Sequence, residues 1–90
     1  MYRVKLTGKA RRELDKIVGG EDTETIVSAM QALGENPRPP GVKKLRDNIH
    51  RTRVGDWRII YAIFDKDRHV IVGKIVRRSE DTYDRIKDLF

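Results

Sequence analysis

The stretch that decides the fold is HRTRVGDWRIIYAIF, residues 50–64. Gly55-Asp56 lies between two runs rich in β-forming residues, and a two-residue loop of this kind predicts a β-hairpin. The second run, residues 57–64, is apolar at both odd and even positions, which is typical of a strand covered on both faces. That apolar run nevertheless carries Arg58. We therefore expect a central strand that presents an arginine on one of its faces.

The two-residue loop sets the register of the hairpin. It pairs Val54 with Trp57, and consequently Arg53 with Arg58. Arg51 shares their face, because alternate residues of a strand point to the same side. Directly opposed like charges are unfavourable by a few tenths to about 1 kcal/mol. We therefore interpret this arginine cluster as a site for an anion and not as a source of stability.

A second hairpin follows, with the polar loop DKDR at 65–68 and a returning strand, HVIVGKIVR, at 69–77. An even-length loop pairs Ile63 with Val70 and Arg58 with Ile75. Arg77 then lies diagonal to Arg58 on the same face, so four arginines from three strands are expected to converge. An odd-length loop would turn the last strand over and move Arg77 to the other face.

Helical patterns occupy the segments before and after these strands. Thr7 is placed to cap a first helix that runs to Val18, and Asp22 or Thr23 to cap a second that ends at Gly34. Ahead of the first helix, residues 2–6 alternate apolar and basic side chains, which indicates a strand with one buried face.

A serine and two acidic residues at 79–81 predict the start of a short final helix. The expected architecture is α+β: an N-terminal strand, a helical hairpin, a three-stranded antiparallel meander that completes a four-stranded sheet, and a short C-terminal helix.

Composition limits the function classes. The 90 residues fit a single domain, 1–90, with one modest core. The net charge of +6 favours nucleic acid, an acidic protein or an anionic membrane as partner. Absence of cysteine excludes disulfides and thiolate chemistry, and no metal-ligand spacing is present, so we expect neither metal nor cofactor. No apolar run is long enough for a membrane span or a secretory signal, which predicts a cytoplasmic protein.

The arginine cluster favours phosphate chemistry. A guanidinium group is a planar fork that binds phosphate oxygens bidentately and remains charged at any relevant pH. Such a cluster suits either a surface that grips a nucleic-acid backbone or a ribonuclease that stabilises a phosphodiester transition state.

A ribonuclease also needs a general base, and an arginine cannot supply one. His50 pairs with Tyr61 by register and faces away from the arginines, while His69 is expected at the far end of the hairpin. Tyr83 suits stacking against a nucleobase or, equally, packing of the last helix.

Residues 43–83, and above all RTRVGDWRIIY at 51–61, resemble toxins of the RelE/ParE superfamily of type II toxin–antitoxin systems. The resemblance implies a microbial-ribonuclease-like fold and a metal-independent endoribonuclease that cleaves mRNA in the ribosomal A site. It further implies a cognate antitoxin that wraps around the toxin, and operator DNA bound only through that complex.

The resemblance also assigns residues. It implies catalytic roles for Arg58, Arg77, Tyr83 and Arg51. RNA or phosphate contacts are expected from the remaining basic residues of the motif region, namely Arg53, Lys43, Lys44, Arg46 and Arg78. Some RelE members carry a lysine where this chain has Arg51, so the general base is not identified. Two alternatives stay open: a ParE-like inhibitor of DNA gyrase without nuclease activity, and an inactive relative that acts as corepressor with its antitoxin.

Overall fold

The structure is a computed structural model that describes residues 1–17 and 20–77. The expected C-terminal helix, with Arg78 and Tyr83, lies outside the described residues, as does Val18. The elements in chain order are β1 (Arg3–Leu6), α1 (Gly8–Lys16), α2 (Gly20–Glu35), β2 (Lys43–Arg46), β3 (Ile49–Val54), β4 (Trp57–Phe64) and β5 (His69–Arg77).

The strands form one sheet in the order β1-β5-β4-β3-β2. β1 runs parallel to β5, and every other neighbouring pair is antiparallel. The α+β class is therefore confirmed, but the described sheet has five strands and not four. The additional strand is β2, four residues long and mostly charged, which pairs with the edge of β3. Short, lysine-bearing strands are common at sheet edges, where they discourage pairing with other chains.

The register predicted for the first hairpin is confirmed throughout. Val54 pairs with Trp57 across the Gly55-Asp56 turn, and Arg53 pairs with Arg58. Gly55 has a φ of +58°, a left-handed conformation that glycine adopts without strain.

The register predicted for the second hairpin is right only near its loop. Ile63 pairs with Val70 as expected, but Arg58 pairs with Val76 and not with Ile75. The register shifts between Ile60, which pairs with Lys74, and Tyr61, which pairs with Val72. Gly73 is thus an extra residue in β5. This β-bulge turns the following side chains to the opposite faces from those predicted.

Three of the predicted helix boundaries need correction. Thr7 does cap α1, because its Oγ1 accepts a hydrogen bond from the Ala10 N–H at 3.1 Å. However, α1 ends at Lys16, and α2 already begins at Gly20. Thr23, predicted to cap α2, instead donates its hydroxyl to the carbonyl of Ile17 at 2.9 Å and so satisfies the end of α1.

Gly34 does not end α2, which continues to Glu35. Gly34 matters because α2 and the N-terminal segment approach each other closely at this residue. The Tyr2 N–H donates to the Gly34 carbonyl at 2.6 Å, and a Cβ on Gly34 would lie only 2.9 Å from the Tyr2 carbonyl oxygen. A side chain at this position would push β1 away from the helix.

Both helices pack on one face of the sheet. Their buried residues Ala10, Ile26, Met30 and Leu33 share a cluster with alternate residues of the strands, such as Ile59. A second, smaller cluster lies on the other face and consists of Ile49, Ile60 and Ala62, with Leu45 and Phe64 packed beside them. The prediction that the central strand is buried on both faces is confirmed, since residues 59–63 are all buried. Among the described residues, no helix is long and apolar enough to cross a membrane.

Candidate functional site

Three arginines occupy the sheet face opposite the two helices. In β3 and β4, the residues that join the helix-side cluster include Val54, Ile59 and Tyr61, so the residues between them point to the other side. We call this surface, defined by Arg51, Arg53 and Arg58, the arginine face. Its existence was predicted from the hairpin register alone.

Arg53 and Arg58 are direct cross-strand partners. Arg53 is exposed and Arg58 is half-buried. Cβ atoms of such partners lie about 5 Å apart, so the two guanidinium groups can reach the same anion. A phosphate between them would replace a repulsion with charge-assisted hydrogen bonds.

Arg51 is buried, with 8% of its surface exposed, although it carries a full charge. Its Nε is buried and has no hydrogen-bond partner in the described part of the chain. The neighbouring strand adds a further cation, because Lys43 pairs directly with Arg51 and therefore shares its face. A buried guanidinium next to a second cation is costly unless an anion compensates it. The edge of the arginine face thus favours the binding of an anionic group.

The other basic residues predicted to contact phosphate are less favourably placed. Lys44 pairs with His50, which lies on the helix side of the sheet. Arg46 stands at the end of β2, and its Nε forms an exposed ion pair with Asp47 Oδ2 at 3.5 Å. Of the predicted set, the structure brings Lys43 and Arg53 to the arginine face, while Arg46 pairs with Ile49 on the same side of the sheet but at the end of β2. Arg78 lies outside the described residues.

Arg77 does not lie on the arginine face, and that prediction is wrong. The bulge at Gly73 pairs Arg77 with Trp57, and the guanidinium carbon lies 4.8 Å from the centroid of the indole ring. This is a cation–π contact, which accounts for the position of the side chain without any ligand. On the arginine face, the position opposite Arg58 is filled by Val76 instead.

His50 and Tyr61 form a packed pair on the helix side, as the register predicted. Their rings stack with centroids 5.9 Å apart. The His50 Nδ1 lies 3.0 Å from the Asn48 carbonyl oxygen, and burial lowers the His50 pKa. The Tyr61 hydroxyl donates to the Pro37 carbonyl at 2.7 Å, and burial raises the Tyr61 pKa to about 12. Both side chains serve the packing of the sheet and do not face the arginines.

A polar network holds the connector after α2 against the β4–β5 loop. Arg38 donates to both carboxylate oxygens of Asp65, at 2.9 and 3.3 Å, and the Tyr2 hydroxyl donates to the same carboxylate at 2.6 Å. Hydrogen bonds from Arg38, followed by that from Tyr2, lower the Asp65 pKa. The sequence offered no periodic signal for this network. It matters for the site because it fixes the connector that passes beside the arginine face.

The described residues hold no group of three or more His, Asp or Glu side chains arranged for a metal ion.

Comparison with known proteins agrees with this fold. Residues 4–82 match the family model described as the ParE toxin of the type II toxin–antitoxin system parDE. Toxin RelE of Mycobacterium tuberculosis is 33% identical over 81 residues, covering 87% of this chain and 82% of the relative.

Solved structures show the same architecture. The RelE–RelB complex of Pyrococcus horikoshii OT3 matches with a TM-score of 0.79 at 25% identity, over 89% of this chain and 98% of the other. The RelBE2 toxin–antitoxin complex of M. tuberculosis matches with a TM-score of 0.74 at 27% identity, over 86% and 98%. The chain therefore belongs to the ParE toxin family of type II toxin–antitoxin systems, within the RelE/ParE superfamily.

Proposed function

We propose that this toxin inhibits translation by cleaving mRNA in the ribosomal A site, with the RNA backbone held on the arginine face. The observation that carries the proposal is the direct pairing of Arg53 with Arg58 beside a buried Arg51 whose Nε has no hydrogen-bond partner within residues 1–17 and 20–77. Like charges so arranged oppose folding and favour an anion. Translating ribosomes place the site of action in the cytoplasm.

In this proposal the arginine face positions the scissile phosphate and stabilises its transition state. Attack of the RNA 2′-hydroxyl on phosphorus forms a cyclic phosphate and breaks the bond to the 5′-oxygen of the next nucleotide. Negative charge grows on the phosphoryl oxygens, where Arg53 and Arg58 can each donate two hydrogen bonds. Guanidinium groups keep their protons, so proton transfer falls to other groups. The catalytic roles that the resemblance gives to Arg77 and Tyr83 stay predictions.

A cognate antitoxin is the proposed protein partner. Both neighbouring structures described above are complexes of a RelE toxin with its RelB antitoxin. An acidic or extended antitoxin segment would suit the net charge of +6 on this chain. Operator DNA is then bound through the complex and not by the toxin alone.

The test is to map mRNA 5′ ends on translating ribosomes treated with the wild type, Arg58→Ala or Arg12→Ala. Arg12 is an exposed arginine of α1, on the opposite side of the sheet, so its variant loses the same charge without touching the arginine face. We expect new cuts at A-site codons with the wild type and Arg12→Ala, and at least a tenfold loss with Arg58→Ala. Intact mRNA with the wild type would refute the proposal.

One observation favours a second candidate, a ParE-like inhibitor of DNA gyrase. Val76, and not an arginine, stands opposite Arg58, so the third strand contributes no arginine to the arginine face in the described chain. His69, on the same side of the sheet, pairs with Phe64 at the far end. A supercoiling assay separates the candidates: inhibited gyrase together with intact mRNA would support the ParE-like activity.

A further inference from the structure

The edge of β3 around Arg53 pairs with no strand in the described part of the chain. β2 begins at Lys43, opposite Arg51, so the β3 edge at residues 52–54 has no strand neighbour among the described residues. The connector from α2 passes this edge instead. It turns there, with the Val42 N–H donating to the Pro39 carbonyl at 3.1 Å and Gly41 at a φ of +85°. Between the connector and the strand lie two cavities.

The first cavity has a volume of about 410 Å³ and is cationic. Its walls carry three cationic residues, Lys43, Arg51 and Arg53, and they are completed by Pro40, Gly41 and Thr52. None of the acidic side chains in the described part of the chain lines it. Arg51 is more than nine-tenths buried and brings a buried Nε that has no hydrogen-bond partner among the described residues. This combination suits a phosphate group, which supplies the missing charge and acceptors.

The second cavity, of about 400 Å³, is mainly apolar. Six of its lining residues are Ala29, Ala32, Leu33, Pro39, Pro40 and Val54. Glu35 and Asn36 add polar groups at the end of α2. Apolar walls with a few polar groups are typical of sites that hold a flat heterocycle and recognise its edge.

The two cavities share the walls formed by Pro40, Thr52 and Arg53. A ligand that passes across this shared wall must be anionic at one end and flat and apolar at the other. A nucleotide has this chemistry, and the planar guanidinium of Arg53 at the junction is suited to stacking on a base as well as to binding phosphate.

We propose that the paired cavities between the Pro39–Gly41 connector and the edge of β3 form a nucleotide subsite, which takes one unpaired RNA nucleotide with its phosphate beside Lys43 and Arg51 and its base against Ala32 and Val54. This inference rests on the proposed RNA binding by the arginine face and extends it by one nucleotide. Through this subsite the toxin contacts a base as well as the backbone.

The experiment measures binding of the full chain to a short single-stranded RNA with 2′-O-methyl sugars, which prevents cleavage through the 2′-hydroxyl. Four further probes each replace one base of a tetramer with an abasic sugar. We expect one abasic probe to bind the wild type about tenfold more weakly than the intact tetramer, because base contacts contribute on this scale.

Ala32→Phe is designed to fill the second cavity, the proposed base site, from the exposed side of α2. Its matched control is Gln31→Phe, which places the same side chain on the other flank of that helix, away from both cavities. We expect Ala32→Phe to bind the intact tetramer about tenfold more weakly and to lose the discrimination against the abasic probe. Gln31→Phe should retain wild-type behaviour.

A further measurement uses the wild type alone, so its outcome does not depend on whether the variant folds. In the saturated complex we expect nuclear Overhauser effects between base protons and the methyl groups of Ala32 and Val54. Absence of these contacts would overturn the inference. Equal affinity of the wild type for intact and abasic probes would overturn it too, while leaving RNA binding by the arginine face in place. Failure of every probe to bind would overturn the subsite, whereas cleavage on the ribosome is decided separately by the mapping of mRNA 5′ ends.

Discussion

Arg53 and Arg58 face each other directly across the β3–β4 hairpin, so a cross-strand pair of like charges coincides with the candidate site. We predict that Arg53→Glu raises the free energy of unfolding by a few tenths to about 1 kcal/mol, because a cross-strand repulsion becomes an attraction. The same change should abolish RNA binding. Urea denaturation and RNA titration of one preparation test both effects, and a variant that is less stable than the wild type would contradict the first.

RNA affinity should depend strongly on salt. Lys43, Arg51, Arg53 and Arg58 can neutralise about three to four phosphates, so the logarithm of the binding constant should fall against the logarithm of salt concentration with a slope of about −2 to −3. Arg53→Ala should reduce the magnitude of that slope by about 0.7. Titrations between low and moderate salt measure both values. A flat dependence would exclude phosphate contacts as the main source of affinity.

Arg77 should matter more for stability than for RNA affinity. Its contact with Trp57 predicts that Arg77→Ala lowers the free energy of unfolding by about 0.5 to 1 kcal/mol. Because Arg77 points away from the arginine face, RNA affinity should fall no further than in Arg12→Ala, which removes the same charge. The comparison needs denaturation curves and RNA titrations of both variants. A loss of RNA affinity as large as that of Arg53→Ala would show that Arg77 contributes to RNA binding.

Tyr61 should make stability sensitive to alkaline pH. Burial raises its pKa to about 12 from 10.0, so the folded state keeps a proton that the unfolded state loses. Its contribution is complete below pH 10 and disappears between pH 10 and about 12, a change of about 2 to 3 kcal/mol. Urea midpoints from pH 9 to 12 should therefore fall less steeply in Tyr61→Phe. Parallel slopes for the two proteins would show that Tyr61 is not responsible.

Glu13 should stabilise the part of β5 that extends beyond its pairing with β1. β1 pairs with β5 only as far as Val72, and beyond this point the Glu13 carboxylate accepts hydrogen bonds from the Ile75 N–H at 3.0 Å and Lys74 Nζ at 3.2 Å. Glu13→Ala leaves a partly buried N–H unsatisfied, which predicts a loss of about 1 to 3 kcal/mol. Glu13→Gln retains an acceptor and should lose less. Thermal or chemical denaturation of the two variants gives the comparison.

The part of the site that could be predicted from sequence depends on local geometry. A two-residue turn leaves one register for its hairpin, so the pairing of Arg53 with Arg58 followed directly from Gly55-Asp56. The faces of Arg51 and His50 followed from the same register. Apolar residues at both parities of β4 likewise predicted a central strand, because burial on both faces is what such a pattern requires.

The remainder was decided by tertiary contacts that leave weak local signals. Gly73 was the local indication of a bulge in β5, because a glycine within a strand often marks one. A glycine alone, however, does not show that the register shifts. β2 was missed because four mostly charged residues show no alternation, and it exists through pairing with β3. The second of the two cavities beside β3 arises from the path of a proline-rich connector, which is held by the contact between Arg38 and Asp65, 27 residues apart in sequence.

The bulge at Gly73 has a consequence for how such toxins diverge. Beyond an extra residue in a strand, every side chain changes sides, so removal of that one residue would exchange the positions of Val76 and Arg77 relative to the sheet. A single insertion or deletion within β5 can therefore add an arginine to the arginine face, or remove one, without any substitution of the arginine itself.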